Sequence, residues 1–243
     1  MRLSWYLDVY QLEHRVVRAR NALNFRLQPK DRRDRAKVFV VGHPRTGTKS
    51  VHKILSHNGW NCLHTSGNWN TRKYDCFSDR GNFQPFRAME QYYRNSFFIL
   101  NTRPVYKYIR SVINHRFGRG KRSSGLIPPT VRNIEHEIME RNQDFLRFAR
   151  HFRGKDNFLV MNIERPGAFD FLAAHLGLEW SESQRERKKE WREQDLDKIE
   201  QAFTGLGLAA DKEAPFLLDR LLSPADQELH QAFLREHADR IRL

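Results

Sequence analysis

The sequence contains little cysteine and no long apolar segment. Its two cysteines, Cys62 and Cys76, are too few for a disulfide framework and lack the spacing of a redox motif, so we expect two reduced, buried thiols. No apolar run approaches the roughly 18–20 residues that a membrane-spanning helix needs. The N-terminal segment lacks the apolar stretch of a signal peptide. These absences favour a cytoplasmic protein.

Acidic residues are also scarce. The chain has 29 Asp and Glu against 43 Lys and Arg, and its formal net charge is +14. We therefore expect an anionic partner: a phosphorylated cofactor, an acidic polysaccharide, nucleic acid or an anionic membrane face. Specific nucleic-acid binding is not expected, because neither zinc-finger spacing nor an RNP-type aromatic run is present. The 17 Phe, 5 Trp and 7 Tyr supply core anchors, so we expect a globular chain.

Short apolar segments alternate with helical patterns between residues 37 and 180. The predicted strands are KVFVVG, WNCLHTS, YDCFSD, SFFILNTR and NFLVMNIE. The predicted helices are VHKILSHNG, a segment around PFRAMEQYYRN, PVYKYIRSVINHRF, residues 131–152 and PGAFDFLAAHLG. This alternation predicts an α/β fold, with a parallel sheet of about 4–5 strands covered by helices on both sides.

Helical extensions are predicted at both ends of this core. Residues 1–36 form a basic amphipathic helix and a linker, and residues 181–243 form a charged helical extension packed on the core. The apolar residues of the N-terminal helix recur at near-helical spacing, with arginines between them: Trp5, Val9, Leu12, Val16, Leu23 and Leu27. Two interpretations stay open, that residues 3–27 pack on the domain or that they contact an anionic membrane or polymer.

The segment GHPRTGTKS joins the first strand to the next helix. Backbone amides in such a turn, together with the positive end of the helix dipole, form an anion site. Arg45 and Lys49 add full charges, and hydroxyl donors come from Thr46, Thr48 and Ser50. We therefore predict a cradle for the phosphate end of a nucleotide-like ligand.

The position of the lysine separates this loop from the NTPase phosphate loop. The NTPase pattern is G-x-x-x-x-G-K-[ST]. Gly42 and Gly47 have that separation, but Thr48 stands where the lysine belongs, and Lys49 and Ser50 are displaced by one residue. A one-residue shift on a helix rotates a side chain by about 100°, so the magnesium geometry is lost while the cradle is kept.

At this point the residues resemble a family. PRTGTKS is similar to the 5′-phosphosulfate loop, P-[KR]-[ST]-G-[TS], of sulfotransferases that use 3′-phosphoadenosine 5′-phosphosulfate (PAPS). The resemblance implies a P-loop NTPase-like fold, with Arg45 contacting the leaving phosphate and Thr46, Gly47, Thr48, Lys49 and Ser50 forming the cradle. It covers about residues 37–178, because FLVMNIERPGAFDFLAAHLGL also resembles a late segment of bacterial and Golgi-type members.

A second segment, FFILNTRPVYKYIRSVINH, resembles the family's 3′-phosphate element. The element is a strand that ends in Arg, with a Ser eight residues later, and here the pair is Arg103 and Ser111. Pro104 follows the arginine directly, whereas family members often have R-x-P or R-D-P; this difference affects the shape of the turn. The family also implies weak 3′-phosphate candidates in a late basic segment, Lys188 and Lys189.

The resemblance predicts transfer of a sulfuryl group from PAPS to a hydroxyl acceptor, with 3′,5′-bisphosphate (PAP) as product. The acceptor is expected to be a carbohydrate or a small alcohol, and the net charge of +14 makes an anionic glycan one candidate. Arg45 and Lys49 would stabilise the leaving phosphate, and no metal is required, because a sulfuryl group carries less charge than a phosphoryl group. Candidate bases follow the second and third strands: His64 and Asp79, of which the resemblance favours Asp79. The alternatives are a P-loop kinase of a small molecule and a non-catalytic polyanion-binding protein.

Overall fold

The computed structural model describes residues 2–64, 69–117, 130–181 and 196–241. Within these ranges five strands form one sheet: β1 (Lys37–Val40), β2 (Cys62–His64), β3 (Cys76–Ser78), β4 (Ser96–Thr102) and β5 (Phe158–Asn162). The first helices are α1 (Arg2–Leu27), α2 (Thr48–His57), α3 (Phe86–Tyr92) and α4 (Val105–Phe117). They are followed by α5 (Val131–Phe152), α6 (Ala168–Leu176), α7 (Leu196–Gly205), α8 (Pro224–Glu236) and α9 (Ala238–Ile241).

The sheet is entirely parallel, in the order β2-β3-β1-β4-β5. Its central strands are apolar on both faces, because helices cover both faces. Alternate residues of β1 enter different clusters: Phe39 packs with α5 and α8 on one face, and Val38 and Val40 pack with α2 and α6 on the other. The predicted α/β fold is confirmed.

The N-terminal helix packs on the domain through polar and aromatic residues. Phe25 is buried in the core, and the side chains of Asn21 and Gln28 donate hydrogen bonds to the carbonyls of Phe83 and Trp69, at 3.3 and 2.8 Å. The apolar residues that predicted the helix from Leu12 onward are instead exposed on its outer face. The second half of α1 therefore packs on the domain, but not through the expected side chains.

The C-terminal helices complete the core. Ser223 caps α8 by accepting a hydrogen bond from the Asp226 amide, as the Ser-Pro pattern predicts. Asn162 at the end of β5 donates to the Ile241 carbonyl of α9, at 3.1 Å. None of the helices in the described ranges combines the length and the apolar character that crossing a bilayer requires.

The two cysteines are neighbours on adjacent strands. Cys62 of β2 and Cys76 of β3 are paired in the sheet register, and both are free thiols. Cys76 is buried, whereas Cys62 is only half-buried because β2 is the edge strand. The expectation of two buried thiols therefore holds for Cys76 alone.

Candidate functional site

The two phosphate motifs of the sequence meet at the carboxyl ends of β1 and β4. These strands are neighbours, and Val40 pairs with Ile99. The chain leaves β1 toward β2 and β3 but leaves β4 toward β5, so the two following loops diverge. A crevice of this kind is where open parallel sheets bind ligands.

The loop after β1 depends on two glycines and one strained arginine. Gly42 lies so close to β4 that a Cβ there would be 2.2 Å from Asn101 Oδ1. Gly47 has φ 84° and lies against Ile163, at 3.0 Å from a Cβ built at this position. Arg45 adopts φ 72°, which non-glycine residues rarely do. Backbone strain of this kind often accompanies ligand sites.

Asn101 of β4 holds the loop from below. Its Nδ2 donates to the Thr46 hydroxyl at 3.0 Å and to the Thr46 carbonyl, and the Thr46 hydroxyl donates to the His43 carbonyl at 2.6 Å. Thr46 is fully buried. Its hydroxyl therefore stabilises the shape of the loop, and its predicted contact with ligand remains a prediction.

The start of α2 presents donors to the crevice. The amides of Ser50 and Val51 donate to the Gly47 carbonyl, and the backbone N–H groups of this first turn point toward the amino end of the helix. The hydroxyl-bearing Thr48 and Ser50 are buried in the first turn. The Lys49 side chain is exposed, as is that of Arg45. Amides and the positive helix end together favour an anion here.

Arg45, Arg103 and Ser111 join the two motifs. The Arg45 Nε donates to the Ser111 hydroxyl at 3.2 Å, across the gap between the loop and α4. The Arg103 Nη1 donates to the Arg45 carbonyl at 3.2 Å. Both Arg103 and Ser111 are buried. The predicted 5′-phosphate and 3′-phosphate elements are thus in direct contact.

Glu164 is a member of this site that the sequence analysis missed. It forms an ion pair with Arg103, and Lys107 Nζ lies 3.8 Å from its other oxygen. Burial lowers the pKa of Arg103, and the Glu164 carboxylate opposes that shift. The sequence could have indicated Glu164, because it is an acidic residue just after β5, and β5 is the strand that pairs with β4.

His64 lies at the carboxyl end of β2 with an orienting partner. Its Nδ1 is 2.8 Å from the hydroxyl of Ser78, its register partner on β3. The ring of His52, one turn into α2, lies 5.1 Å from the His64 ring. Burial lowers the pKa of His52, and the nearby His64 and Lys49 charges lower it further. His52 was missed, although a histidine four residues after Thr48 shares its helix face.

Asp79 follows β3, the strand beside β1. It is half-buried and has φ 82°, a conformation that Asp tolerates better than most residues. The turn continues to Gly81, where a Cβ would lie 2.1 Å from the Val40 carbonyl. This close approach places the turn against the end of β1. Within the described ranges the Asp79 carboxylate has no hydrogen-bond or ion-pair partner.

A buried polar network beneath the loop was also missed. The His43 Nδ1 lies 3.3 Å from the Tyr108 hydroxyl, which donates to Glu137 Oε1 at 2.6 Å. The other ring nitrogen of His43 lies 3.4 Å from Asp144 Oδ2. Burial alone would raise the pKa of Asp144, but the His43 hydrogen bond and the Arg147 and Arg18 charges lower it to about 2.

The sequence carried a signal for this network. Glu137 and Asp144 recur on α5 at the spacing of its buried residues, Ile134, Ile138 and Phe145. A charge on an apolar helix face requires a buried partner. The late basic candidates Lys188 and Lys189 lie outside the described residues.

Comparisons with known proteins do not assign the chain to a family. A comparison with models of protein families finds no match, and neither does a comparison with curated proteins. Function is therefore inferred from the residues of the crevice, which combine the amino end of α2, two exposed cations and the buried residues Arg103 and Ser111.

Proposed function

We propose that the chain is a sulfotransferase that transfers a sulfuryl group from PAPS to a hydroxyl acceptor, a carbohydrate or another small alcohol. One observation carries the proposal: the phosphate loop and the Arg103/Ser111 element share a single crevice, with Arg45 Nε 3.2 Å from the Ser111 hydroxyl. A nucleotide with phosphates at both its 5′ and 3′ ends needs two such elements side by side.

The residues of the crevice have distinct roles in this reaction. The acceptor oxygen forms a bond to sulfur as the bond between sulfur and the 5′-phosphate oxygen breaks, and the electron pair stays on the phosphate. Arg45, Lys49 and the first amides of α2 stabilise that charge. Arg103 and Ser111 hold the 3′-phosphate, and Glu164 orients the Arg103 guanidinium. PAP is the product, and no metal is needed.

A base must take the acceptor proton, and two candidates lie beside the loop. His64 has its ring oriented by Ser78, whereas Asp79 has the resemblance to the family's acidic residue in its favour. Substitution separates them. If His64 is the base, His64→Gln should remove most of the transfer rate while PAP binding is kept, and if Asp79 is the base, Asp79→Asn should do so.

The deciding experiment has two readouts: binding of PAP by calorimetry, and transfer of radiolabelled sulfate from PAPS to a panel of glycans and alcohols. We expect Arg45→Ala and Arg103→Ala each to lose at least about tenfold in PAP affinity, because each removes a charged phosphate contact. Arg94→Ala is the matched control, since Arg94 is exposed near the amino end of β4, at the opposite edge of the sheet.

Other outcomes would support other functions. Absence of PAP binding by the intact chain contradicts the proposal. Magnesium-dependent ATP hydrolysis instead supports a P-loop kinase. Salt-sensitive binding to acidic glycans without any response to PAPS supports a non-catalytic polyanion-binding protein. We further propose a cytoplasmic location, where the free thiols of Cys62 and Cys76 would stay reduced.

A further inference from the structure

Between Arg18 and Phe25, one face of helix α1, the inner face, packs against the domain. Arg18 Nη2 lies 2.7 Å from Asp144, Asn21 donates to the Phe83 carbonyl, and Phe25 is 4 % exposed within the core. These residues are spaced by three and four positions, so they share one side of the helix. That side faces α5 and the turn at Gly81–Phe83.

On the opposite face, four apolar side chains between Leu12 and Leu27 are exposed. Four of the five large apolar side chains recorded as exposed in the described ranges lie on this helix: Leu12 (58 %), Val16 (55 %), Leu23 (55 %) and Leu27 (74 %). At about 100° per residue they fall within about 60° of one another, nearly opposite the inner face. We call these four residues the outer stripe. It runs about 22 Å along the helix.

Glu13 adjoins Leu12 in the sequence, but from residue 14 onward the charges beside the outer stripe are all of one sign. Arg15, Arg20 and Arg26 are exposed, and residues 14–30 contain no Asp or Glu. Helical geometry places Arg15 and Arg26 on one side of the stripe and Arg20 on the other. An apolar strip between rows of arginine complements a surface that is apolar inside and anionic outside.

The shape and the sign of the charges select the occupant. The stripe is a ridge along a single helix that stands on the domain, whereas a protein partner needs a groove to receive it. Pairing with a second copy would bring Arg15, Arg20 and Arg26 against the same residues of the other copy, which like-charge repulsion opposes. A bilayer with anionic headgroups accepts a ridge of Leu and Val and attracts the flanking arginines.

We propose that the outer stripe of α1, with its flanking arginines, docks the protein on an anionic membrane surface. The helix lies in the plane of the interface while its inner face stays bound to the domain. Docking is peripheral and reversible, because only four large apolar side chains enter the boundary between headgroups and acyl chains. The proposal is independent of the chemistry in the crevice.

Flotation of the full-length chain with lipid vesicles tests the proposal. We expect binding to vesicles of phosphatidylcholine with roughly 30 mol % phosphatidylserine, an anionic lipid. Binding to vesicles of pure phosphatidylcholine should be about tenfold weaker. Raising NaCl to about 0.5 M should weaken the binding by screening the arginines. The double variant Val16→Glu/Leu23→Glu should lose at least about tenfold in partition coefficient.

A second double variant controls for charge and folding. Gln201→Glu/Thr204→Glu changes the net charge equally at exposed positions of α7 and should bind nearly as the parent does. If both double variants lost membrane binding equally, the loss would come from net charge alone, and the proposed role of the outer stripe would be wrong. Negligible binding to anionic vesicles would overturn the proposal outright.

Sedimentation of the chain without lipid tests whether the outer stripe is instead an interface between copies. We expect a species whose mass is unchanged by Val16→Glu/Leu23→Glu. If the parent chain self-associates and the variant does not, the stripe is an interface between copies and the membrane proposal is wrong. Circular dichroism of each variant, matched to the parent, shows that a lost interaction is not a lost fold.

Discussion

Gly47 combines two separate constraints at the residue scale. Its φ of 84° is costly for any other residue, and a Cβ there would press on Ile163 at 3.0 Å. Gly59, at the other end of α2, has the first constraint only, because its φ is 80° but nothing lies within 4 Å of a Cβ. The two glycines therefore allow backbone strain to be separated from the geometry of the phosphate loop.

We predict that Gly47→Ala and Gly59→Ala each destabilise the chain by about 1–2 kcal/mol, because alanine is strained at positive φ. Only Gly47→Ala should weaken PAP binding, by about tenfold or more, since the loop must shift away from Ile163. Urea unfolding gives the stabilities and calorimetry gives the affinities. Equal PAP affinities in the two variants would show that the loop does not bind the phosphate.

Asp144 contributes to stability in a way that depends on pH. Its pKa falls from 3.8 to about 2 on folding, so the unfolded chain binds the proton more tightly. The stabilisation, about 2 kcal/mol, is therefore complete above the pKa of the unfolded state and is lost as the pH falls toward 2. The carboxylate also joins His43 to Arg18 of α1.

We predict that Asp144→Asn costs about 2–4 kcal/mol near pH 6, because it leaves the part-buried arginines Arg18 and Arg147 without their partner. The difference from the parent chain should shrink by about 1 kcal/mol between pH 6 and pH 3. Denaturant unfolding across that range measures it. Asp156→Asn, at an exposed turn, is the control and should follow the parent at every pH. A difference that is constant with pH would contradict the role of the Asp144 charge.

At the scale of elements, α5 is fastened to the end of β4 by one side chain. Arg141 is fully buried; its Nη1 donates to the Phe216 carbonyl and its Nη2 to the Arg103 carbonyl, both at 2.9 Å. Its guanidinium lies 4.3 Å from the centre of the Phe145 ring. Burial lowers the pKa of Arg141 to about 10, so it stays charged at neutral pH. These hydrogen bonds link Arg103, the residue after β4, to Phe216 of the C-terminal segment.

We predict that Arg141→Met destabilises the chain by about 2–4 kcal/mol, because it leaves several buried carbonyl acceptors without donors. The same change at Arg150, an exposed residue of the same helix that is paired with Asp226, should cost less than about 1 kcal/mol. Urea unfolding at pH 7 measures both. If Arg141→Met lowered the free energy of unfolding no more than Arg150→Met does, the hydrogen bonds from Arg141 to the Phe216 and Arg103 carbonyls would not stabilise the fold.

At the scale of the whole molecule, the crevice draws on distant parts of the chain. Arg45 follows β1, Ser111 lies on α4, and Glu164 follows β5. A ligand that binds all three regions should stabilise the entire fold, because it binds only the folded chain. The response to ligand therefore reports on the site without an assay of activity.

We predict that PAP at about 100 times its dissociation constant stabilises the chain by about 2.7 kcal/mol, which raises the melting temperature by about 5–10 °C. Adenosine 5′-monophosphate, which lacks the 3′-phosphate, should shift it much less at the same concentration. Arg103→Ala should remove the difference between the two nucleotides. Differential scanning fluorimetry measures all three, and equal shifts for both nucleotides would mean that no 3′-phosphate site exists.

Local patterns in the sequence were sufficient for the elements and for the position of the proposed phosphate loop between β1 and α2. The predicted strands and helices between residues 37 and 180 are present, and residues 131–152 form α5. Such features depend on side-chain period, caps and turn residues that lie within a few positions of one another. The two phosphate motifs could be located for the same reason.

Contacts between distant residues were decided by the tertiary structure alone. The pairing of Arg45 with Ser111, the Glu164 carboxylate on Arg103 and the burial of His43 over Asp144 all depend on strand order and on how α5 crosses the sheet. The apolar period of α1 predicted a helix but not which face would meet the domain. Several packings of the same elements satisfy the local preferences, and only the sum of long-range contacts selects one of them.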